Sequence, residues 1–131
     1  MKGNTWKSSF HPRWVLITLF ALGVVLGLTH IPGEDVPDIL QAGGLDKVEH
    51  MAAYGLIASF SLLSLKRPVR PLLLWLGLAA LAGIGALDET TQPLVNRTAS
   101  LADYACDLAG IAVACLLFGV AKLSGFRAAL R

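Results

Sequence analysis

Residues 71–87 read PLLLWLGLAALAGIGAL, a stretch without a charged side chain. As an α-helix it would be about 25 Å long, close to the thickness of the hydrocarbon core of a bilayer. Three further blocks, also mostly apolar, occupy residues 14–30, 48–65 and 103–121. The sequence therefore predicts an all-α membrane protein, a bundle of four transmembrane helices in a single domain over residues 1–131.

The composition of the whole chain points in the same direction. Of the residues, 55% are hydrophobic and 15% are charged, and the mean hydropathy is +0.64. A soluble domain carries about 25% charged residues. The formal net charge of +2 is too small to indicate a nucleic-acid partner. After the first block the chain lacks a small-x-small cleavage pattern, which favours a retained helix over a cleaved signal peptide.

Lysine and arginine residues are distributed unequally between the segments that join the blocks. All but Lys47 and Arg97 lie before the first block, between the second and third, or after the fourth. Short loops rich in lysine and arginine stay in the cytoplasm, so both termini are predicted to be cytoplasmic. The acidic residues all lie at the other, extracytoplasmic side: Glu34, Asp35, Asp38, Asp46, Glu49, Asp88, Glu89, Asp103 and Asp107.

The apolar runs of the second and fourth blocks are short. From Met51 to Leu65 a helix would be only about 22 Å long, and the run after Asp107 is similar. Polar groups at the outer ends of these helices would therefore lie below the lipid headgroups. Ionisable groups at that depth cost several kcal/mol unless they are paired or hydrated. Because three helix ends carry such groups on one side, we expect a shared water-filled pocket there.

Polar side chains at these helix ends recur at helical spacing. Asp46, His50 and Tyr54 are four residues apart, so they share one stripe of the second helix. Gly23 and Gly27 form a small-xxx-small face on the first helix, which would let another helix approach closely. The rhythm of three and four residues continues in the second half of the chain with Asp88, Glu89, Gln92, Ser100, Asp103 and Asp107, and with Gly110 one turn deeper.

Structural roles are the alternative explanation for single members of this set. Asp46 and Ser100 suit helix N-caps, and Lys47 suits a surface lysine whose apolar stem lies along the helix. Arg97 lies between two acidic clusters, where it could bridge them or clamp a phosphate or carboxylate. The polar residues of this set all lie on one side of the predicted bundle and recur at helical spacing, and the apolar runs next to them are short. Together these features favour a functional pocket over a solvated rim.

These residues resemble the signatures of VanZ-like membrane proteins. Asp46-Lys47-Val48-Glu49-His50, followed by Tyr54-Gly55, is similar to the first signature. Residues 88–92 and 96–100, followed by Asp103, Asp107 and Gly110, are similar to the second, except that Asn96 stands where the family often has glycine. The likeness covers about residues 14–122. The motif positions that it implies are Asp46, Lys47, His50, Tyr54, Glu89, Gln92, Arg97, Ser100, Asp103 and Asp107, with Asp88 shared by one subgroup.

The resemblance implies a small multi-pass protein of the bacterial cytoplasmic (inner) membrane that acts in the cell envelope. The family's namesake is associated with low-level resistance to teicoplanin, and the biochemical activity of the family is poorly defined. Other members occur in unrelated settings, so the family name does not specify a reaction for this chain.

The leading functional hypothesis is a pocket for a lipid headgroup or a lipid-linked envelope precursor. In it, Arg97 and Lys47 hold the anionic group, and His50, Glu89 and Gln92 supply hydrogen bonds. The mixed charge of the recessed cluster motivates this hypothesis. The residues predicted to bind the ligand are Asp46, Lys47, Tyr54, Asp88, Gln92, Arg97 and Ser100.

Two alternatives stay open. One is an intramembrane hydrolase or transferase for a phospholipid or polyprenyl phosphate, with His50 or Glu89 as general base and Asp103 or Asp107 as an orienting group. No spacing matches a zinc motif such as His-Glu-x-x-His, so no residue is predicted as a dedicated metal ligand. A carboxylate-rich cluster with one histidine could still hold a divalent cation. The other alternative is an assembly or scaffold protein in which the polar network only locks the helices together.

Overall fold

A computed structural model of the chain describes residues 9–37, 44–66 and 69–123. These residues form four long helices and no β-strand, which confirms the all-α prediction. Two short 3₁₀ helices, Gly33–Asp35 and Gln92–Val95, lie in the connections. The acidic residue Asp38 lies outside the described residues. The long helices are α1 (Pro12–Thr29), α2 (Leu45–Ser64), α3 (Pro71–Thr91) and α4 (Leu101–Leu123).

The helix boundaries follow from residues with known terminal preferences. Pro12 and Pro71 begin α1 and α3, where the missing N–H of proline leaves no hydrogen bond unmade. The hydroxyl of Ser100 accepts a hydrogen bond from the backbone N–H of Asp103 at 3.3 Å, so the N-cap prediction is confirmed for Ser100. For α2 the N-cap is Gly44, with φ of 80°, and the N-cap prediction for Asp46 was wrong.

Three of the helical segments, Pro12–Thr29, Pro71–Val95 and Leu101–Ala121, are long and apolar enough to cross a membrane. α2 is not among them, because charged and polar side chains in its first two turns lower its hydropathy. α3 continues past the predicted end of its apolar block at residue 87. The helix runs through Thr91, whose hydroxyl donates to the Leu87 carbonyl at 2.7 Å, so residues 88–91 form its last turn.

α2 is the central helix and packs against the other three. Its closest neighbour is α4, which it meets where Gly55 faces Gly110. A β-carbon built on Gly110 would overlap the Met51 carbonyl oxygen, so the two backbones approach as closely as glycine permits. A β-carbon built on Gly23 or Gly27 would have no atom within 4 Å. Within the described part of the chain, the small-xxx-small face of α1 therefore packs against no helix.

Helices that follow one another along the chain run antiparallel, so α2 and α4 run parallel to each other, and the helix termini gather at the two ends of the bundle. At one end the backbone N–H of His11 donates to the Ser64 carbonyl at 2.7 Å, joining the start of α1 to the end of α2. At the other end the last turns of α1 and α3 meet the first turns of α2 and α4. Between the two ends the outward side chains are large and apolar, with Phe20 exposed by 74% and Leu116 by 69%, as expected for a surface that faces lipid.

Candidate functional site

His50 is the central side chain of the polar end. Its Nδ1 lies 2.9 Å from Asp107 Oδ1 on α4 and 3.7 Å from Glu89 Oε1 on α3. An ionised carboxylate can only accept hydrogen bonds, so Nδ1 is the donor to Asp107. This pairing fixes the ring and leaves Nε2 as the atom available to a ligand. All three side chains are buried, although they come from three different helices.

Glu89 is held in place by two hydrogen bonds. The backbone N–H of Ser100 donates to Glu89 Oε2 at 2.8 Å, and the Gln92 side chain donates to Oε1 at 3.2 Å. The first bond ties the loop before α4 to the last turns of α3. The amide of Gln92 is therefore used within the protein, whereas the sequence hypothesis had reserved it for a ligand.

Lys47 bridges two carboxylates at the mouth of the site. Its ammonium lies 3.0 Å from Asp46 Oδ2 and 3.1 Å from Asp103 Oδ1. The contact with Asp103 is an ion pair. The hydrogen bond from Lys47 lowers the pKa of the Asp46 carboxyl. Lys47 is thus less available to an anionic ligand than the sequence hypothesis required.

Asp88 and Glu89 point in different directions, which sequence alone did not resolve. Asp88 accepts a hydrogen bond from the Thr29 hydroxyl at 2.6 Å, and its Oδ1 lies 3.4 Å from His30 Nδ1. His30 Nε2 lies 2.9 Å from the Thr91 hydroxyl. Asp88 therefore ties α3 to the end of α1 and does not line the pocket, contrary to its predicted ligand-binding position.

Arg97 contacts none of the acidic side chains among the described residues. Its Nη1 makes one long contact, 3.5 Å, with the carbonyl oxygen of Leu28. The suggestion that Arg97 bridges two acidic clusters thus finds no counterpart in the described structure. The guanidinium lies at the border of two cavities, so its charge is available to an anion.

The turn before Arg97 explains the asparagine at position 96. Asn96 has a φ of 57°, in the left-handed region, which glycine adopts freely and asparagine tolerates better than most residues. Its side chain donates to Glu34 Oε2 at 3.4 Å, and its carbonyl oxygen abuts Gly33. The left-handed backbone conformation therefore accommodates both the asparagine of this chain and a glycine at position 96.

Two cavities meet at the polar end. One, of about 270 Å³, is bordered mainly by polar residues between the first turns of α2 and α4. The other, of about 420 Å³, lies between α1 and α2 and has apolar walls that include Val25, Leu28 and Ala53. Both cavities are bordered by His50 and Arg97, and the residues that they share are Val36, Asp46, His50 and Arg97.

Four buried oxygens of the described residues near this site lack a hydrogen-bond partner: Tyr54 Oη, Asp88 Oδ2, Asp103 Oδ1 and Asp107 Oδ2. Tyr54 and Asp107 have no solvent exposure, and Gly85 on α3 lies against both. Tyr54 was predicted to bind a ligand. In the structure its ring is part of the apolar core and also borders the larger cavity.

Most of the predicted site residues lie together. Glu89 and Asp107 form the floor behind His50, Tyr54 lies beside them, and Asp88 lies apart. Thr29 and His30 belong to the same polar end but were missed, because only their position at the end of an apolar block marked them. Around the smaller cavity the structure places Asp46, Lys47, His50, Gln92, Arg97, Ser100 and Asp103.

The fold and this arrangement define an all-helical protein with apolar helices of membrane-spanning length and a recessed pocket of mixed charge at one end. No family model, curated protein or solved structure matches the chain. The likeness to VanZ-like membrane proteins stays a prediction.

Proposed function

We propose that this chain is a VanZ-like membrane protein of the cell envelope whose pocket binds the headgroup of a phosphate-bearing amphiphile. The observation that carries the proposal is the junction of the two cavities at His50 and Arg97. A polar cavity beside an apolar groove suits a ligand with a charged head and an acyl or prenyl tail. A small water-soluble ligand would not need the groove between α1 and α2.

The charges around the pocket favour a zwitterionic headgroup. Arg97 borders both cavities and contacts no acidic side chain among the described residues, and its planar fork matches a phosphate. The larger cavity is also bordered by the exposed carboxylates Asp35 and Glu49, which would repel a purely anionic ligand and attract an ammonium group. An aminoalkyl phosphate, as in phosphatidylethanolamine, carries both charges on one headgroup.

The membrane arrangement that goes with this function has four spans, with both termini in the cytoplasm and the pocket at the outer leaflet. It is supported by the lysine and arginine residues at the opposite end of the bundle. We expect that, in a background without Cys106 and Cys115, Ala99→Cys will react with a membrane-impermeant maleimide in intact cells and that Val69→Cys will react only after lysis. The reverse pattern would contradict the proposed orientation.

Removal of the Arg97 guanidinium should weaken lipid binding. A charge-assisted pair contributes about 1.5–3 kcal/mol, so Arg97→Ala is expected to lower affinity for phosphatidylethanolamine at least about tenfold. Native mass spectrometry of the purified protein in micelles, with added phosphatidylethanolamine or phosphatidylglycerol, measures this affinity. The matched control is Arg70→Ala, an exposed arginine at the opposite end of the bundle. Equal lipid occupancy in Arg97→Ala and wild type would overturn the proposal.

A lipid hydrolase is the second candidate, and one observation favours it. The carboxylate of Asp107 orients the imidazole of His50 at 2.9 Å, as an orienting acid does for a general base. The same lipid samples separate the two functions, because an enzyme would release the headgroup over time. Headgroup release that is lost in His50→Gln, with lipid occupancy retained, would favour the hydrolase, and intact lipid throughout would favour binding alone.

A further inference from the structure

His50, Glu89 and Asp103 form a compact group of potential metal ligands at the floor of the pocket. One ligand atom from each of these buried residues lies within 4.8 Å of the other two. An imidazole nitrogen with two carboxylate oxygens is a donor set that suits first-row divalent cations such as Mn²⁺ and Zn²⁺. Sequence spacing did not show the group, because each residue comes from a different helix.

Contacts with neighbouring groups orient two of these ligands, His50 and Glu89, as is usual for the ligands of metal sites. His50 Nδ1 lies 2.9 Å from Asp107 Oδ1 and 3.7 Å from Glu89 Oε1, so the contact with Asp107 holds the imidazole beside the other ligands. Glu89 is fixed by the Ser100 N–H at 2.8 Å. Such outer contacts set the direction of the ligand atoms before a metal arrives, and they lower the conformational cost of binding it.

The charge balance of the cluster supplies an independent reason for a cation. Four carboxylates are buried here, and the cationic contacts that the described structure offers them are Lys47, His30 and His50. The carboxyl groups thus outnumber the cationic side chains in contact with them. Asp107 Oδ2, fully buried, and Asp103 Oδ1 have no hydrogen-bond donor. Uncompensated buried charge is costly, and a divalent cation would neutralise it. The four carboxylates are Asp88, Glu89, Asp103 and Asp107.

We propose that His50, Glu89 and Asp103 bind one divalent transition-metal cation at the floor of the pocket. The smaller cavity, bordered by His50 and Asp103, gives the ion access from the polar end. The metal site does not depend on lipid binding, since its ligands are the protein's own side chains. Lys47 competes with the metal for Asp103, because its ammonium lies 3.1 Å from Asp103 Oδ1.

Titration of the purified full chain with Mn²⁺ alone tests the proposal. The protein, without a polyhistidine tag, is stripped with EDTA in micelles, and free Mn²⁺ is followed by electron paramagnetic resonance. We expect about one saturable Mn²⁺ per chain and a loss of affinity of at least about tenfold in His50→Gln and Glu89→Gln. The control Glu34→Gln removes an exposed carboxylate at the same end of the bundle and should leave binding unchanged.

Lys47→Met gives a test that does not rely on a variant that removes a ligand. If Asp103 is a ligand, loss of the competing ammonium should strengthen Mn²⁺ binding severalfold, an effect that damage to the fold cannot produce. No saturable binding of either Mn²⁺ or Zn²⁺ to the wild-type chain would overturn the proposal. Binding that Glu34→Gln weakens as much as His50→Gln would overturn it too, because it would mark a loose association with surface acids.

Discussion

Gly110→Ala is expected to destabilise the helix bundle by about 3 kcal/mol, near the upper end of the usual cost of overpacking. The added β-carbon would overlap the Met51 carbonyl oxygen and come within 2.9 Å of the Gly55 backbone nitrogen. Both neighbours are backbone atoms of α2, so no side-chain rotation can relieve the clash. The helices would have to separate, and the packing that places His50 against Asp107 would be lost with them.

Gly119→Ala is the matched control for this substitution. Gly119 lies on the same helix, and a β-carbon there would meet nothing within 4 Å. Its replacement should leave the free energy of unfolding unchanged or raise it by up to about 1 kcal/mol, because alanine is the better helix former. Unfolding of both variants in mixed micelles, followed by circular dichroism, measures the difference. Equal stability of Gly110→Ala and Gly119→Ala would show that α2 and α4 do not approach closely at this point.

The sequence predicts the helices well because their signals are local. Apolar blocks, the proline at each of two helix starts and Ser100 before α4 depend only on nearby residues, and the helices begin within about three residues of the predicted blocks. The stripe formed by Asp46, His50 and Tyr54 follows from helical spacing alone. The end of α3 was placed too early, at residue 87, because the apolar run stops there, whereas the polar residues 88–91 continue the helix.

The sequence does not determine which residue on one helix meets which residue on another. Asp88 and Glu89 are adjacent, and a rotation of about 100° per residue sends one toward α1 and the other toward α2 and α4. Thr29 and His30 acquire their roles only through contact with α3. The group of His50, Glu89 and Asp103 likewise depends on three helices packing in one register, which no spacing along the chain encodes.

Tyr54→Ala is expected to cost about 3–5 kcal/mol of unfolding free energy, the usual range for removal of a large buried aromatic ring. Tyr54 has no solvent exposure and packs in the core with Ile57, Leu81 and Ile111. The cavity left by the ring would lie directly beside Asp107 and Gly85. Thermal unfolding of the variant in the same micelles should therefore show one of the largest losses of any single substitution in the bundle.

Tyr54→Phe distinguishes the contribution of the ring from that of the hydroxyl. The hydroxyl oxygen is buried without a hydrogen-bond partner, so its removal should leave stability equal or up to about 1 kcal/mol higher. A loss of more than about 1 kcal/mol would instead show that the hydroxyl has a bonding partner in the folded protein. If stability is kept but phosphatidylethanolamine affinity falls, the hydroxyl contacts the ligand, as sequence spacing predicted for Tyr54. If both are kept, Tyr54 acts only through the packing of its ring, which holds α2 against α3 and α4 beneath the pocket.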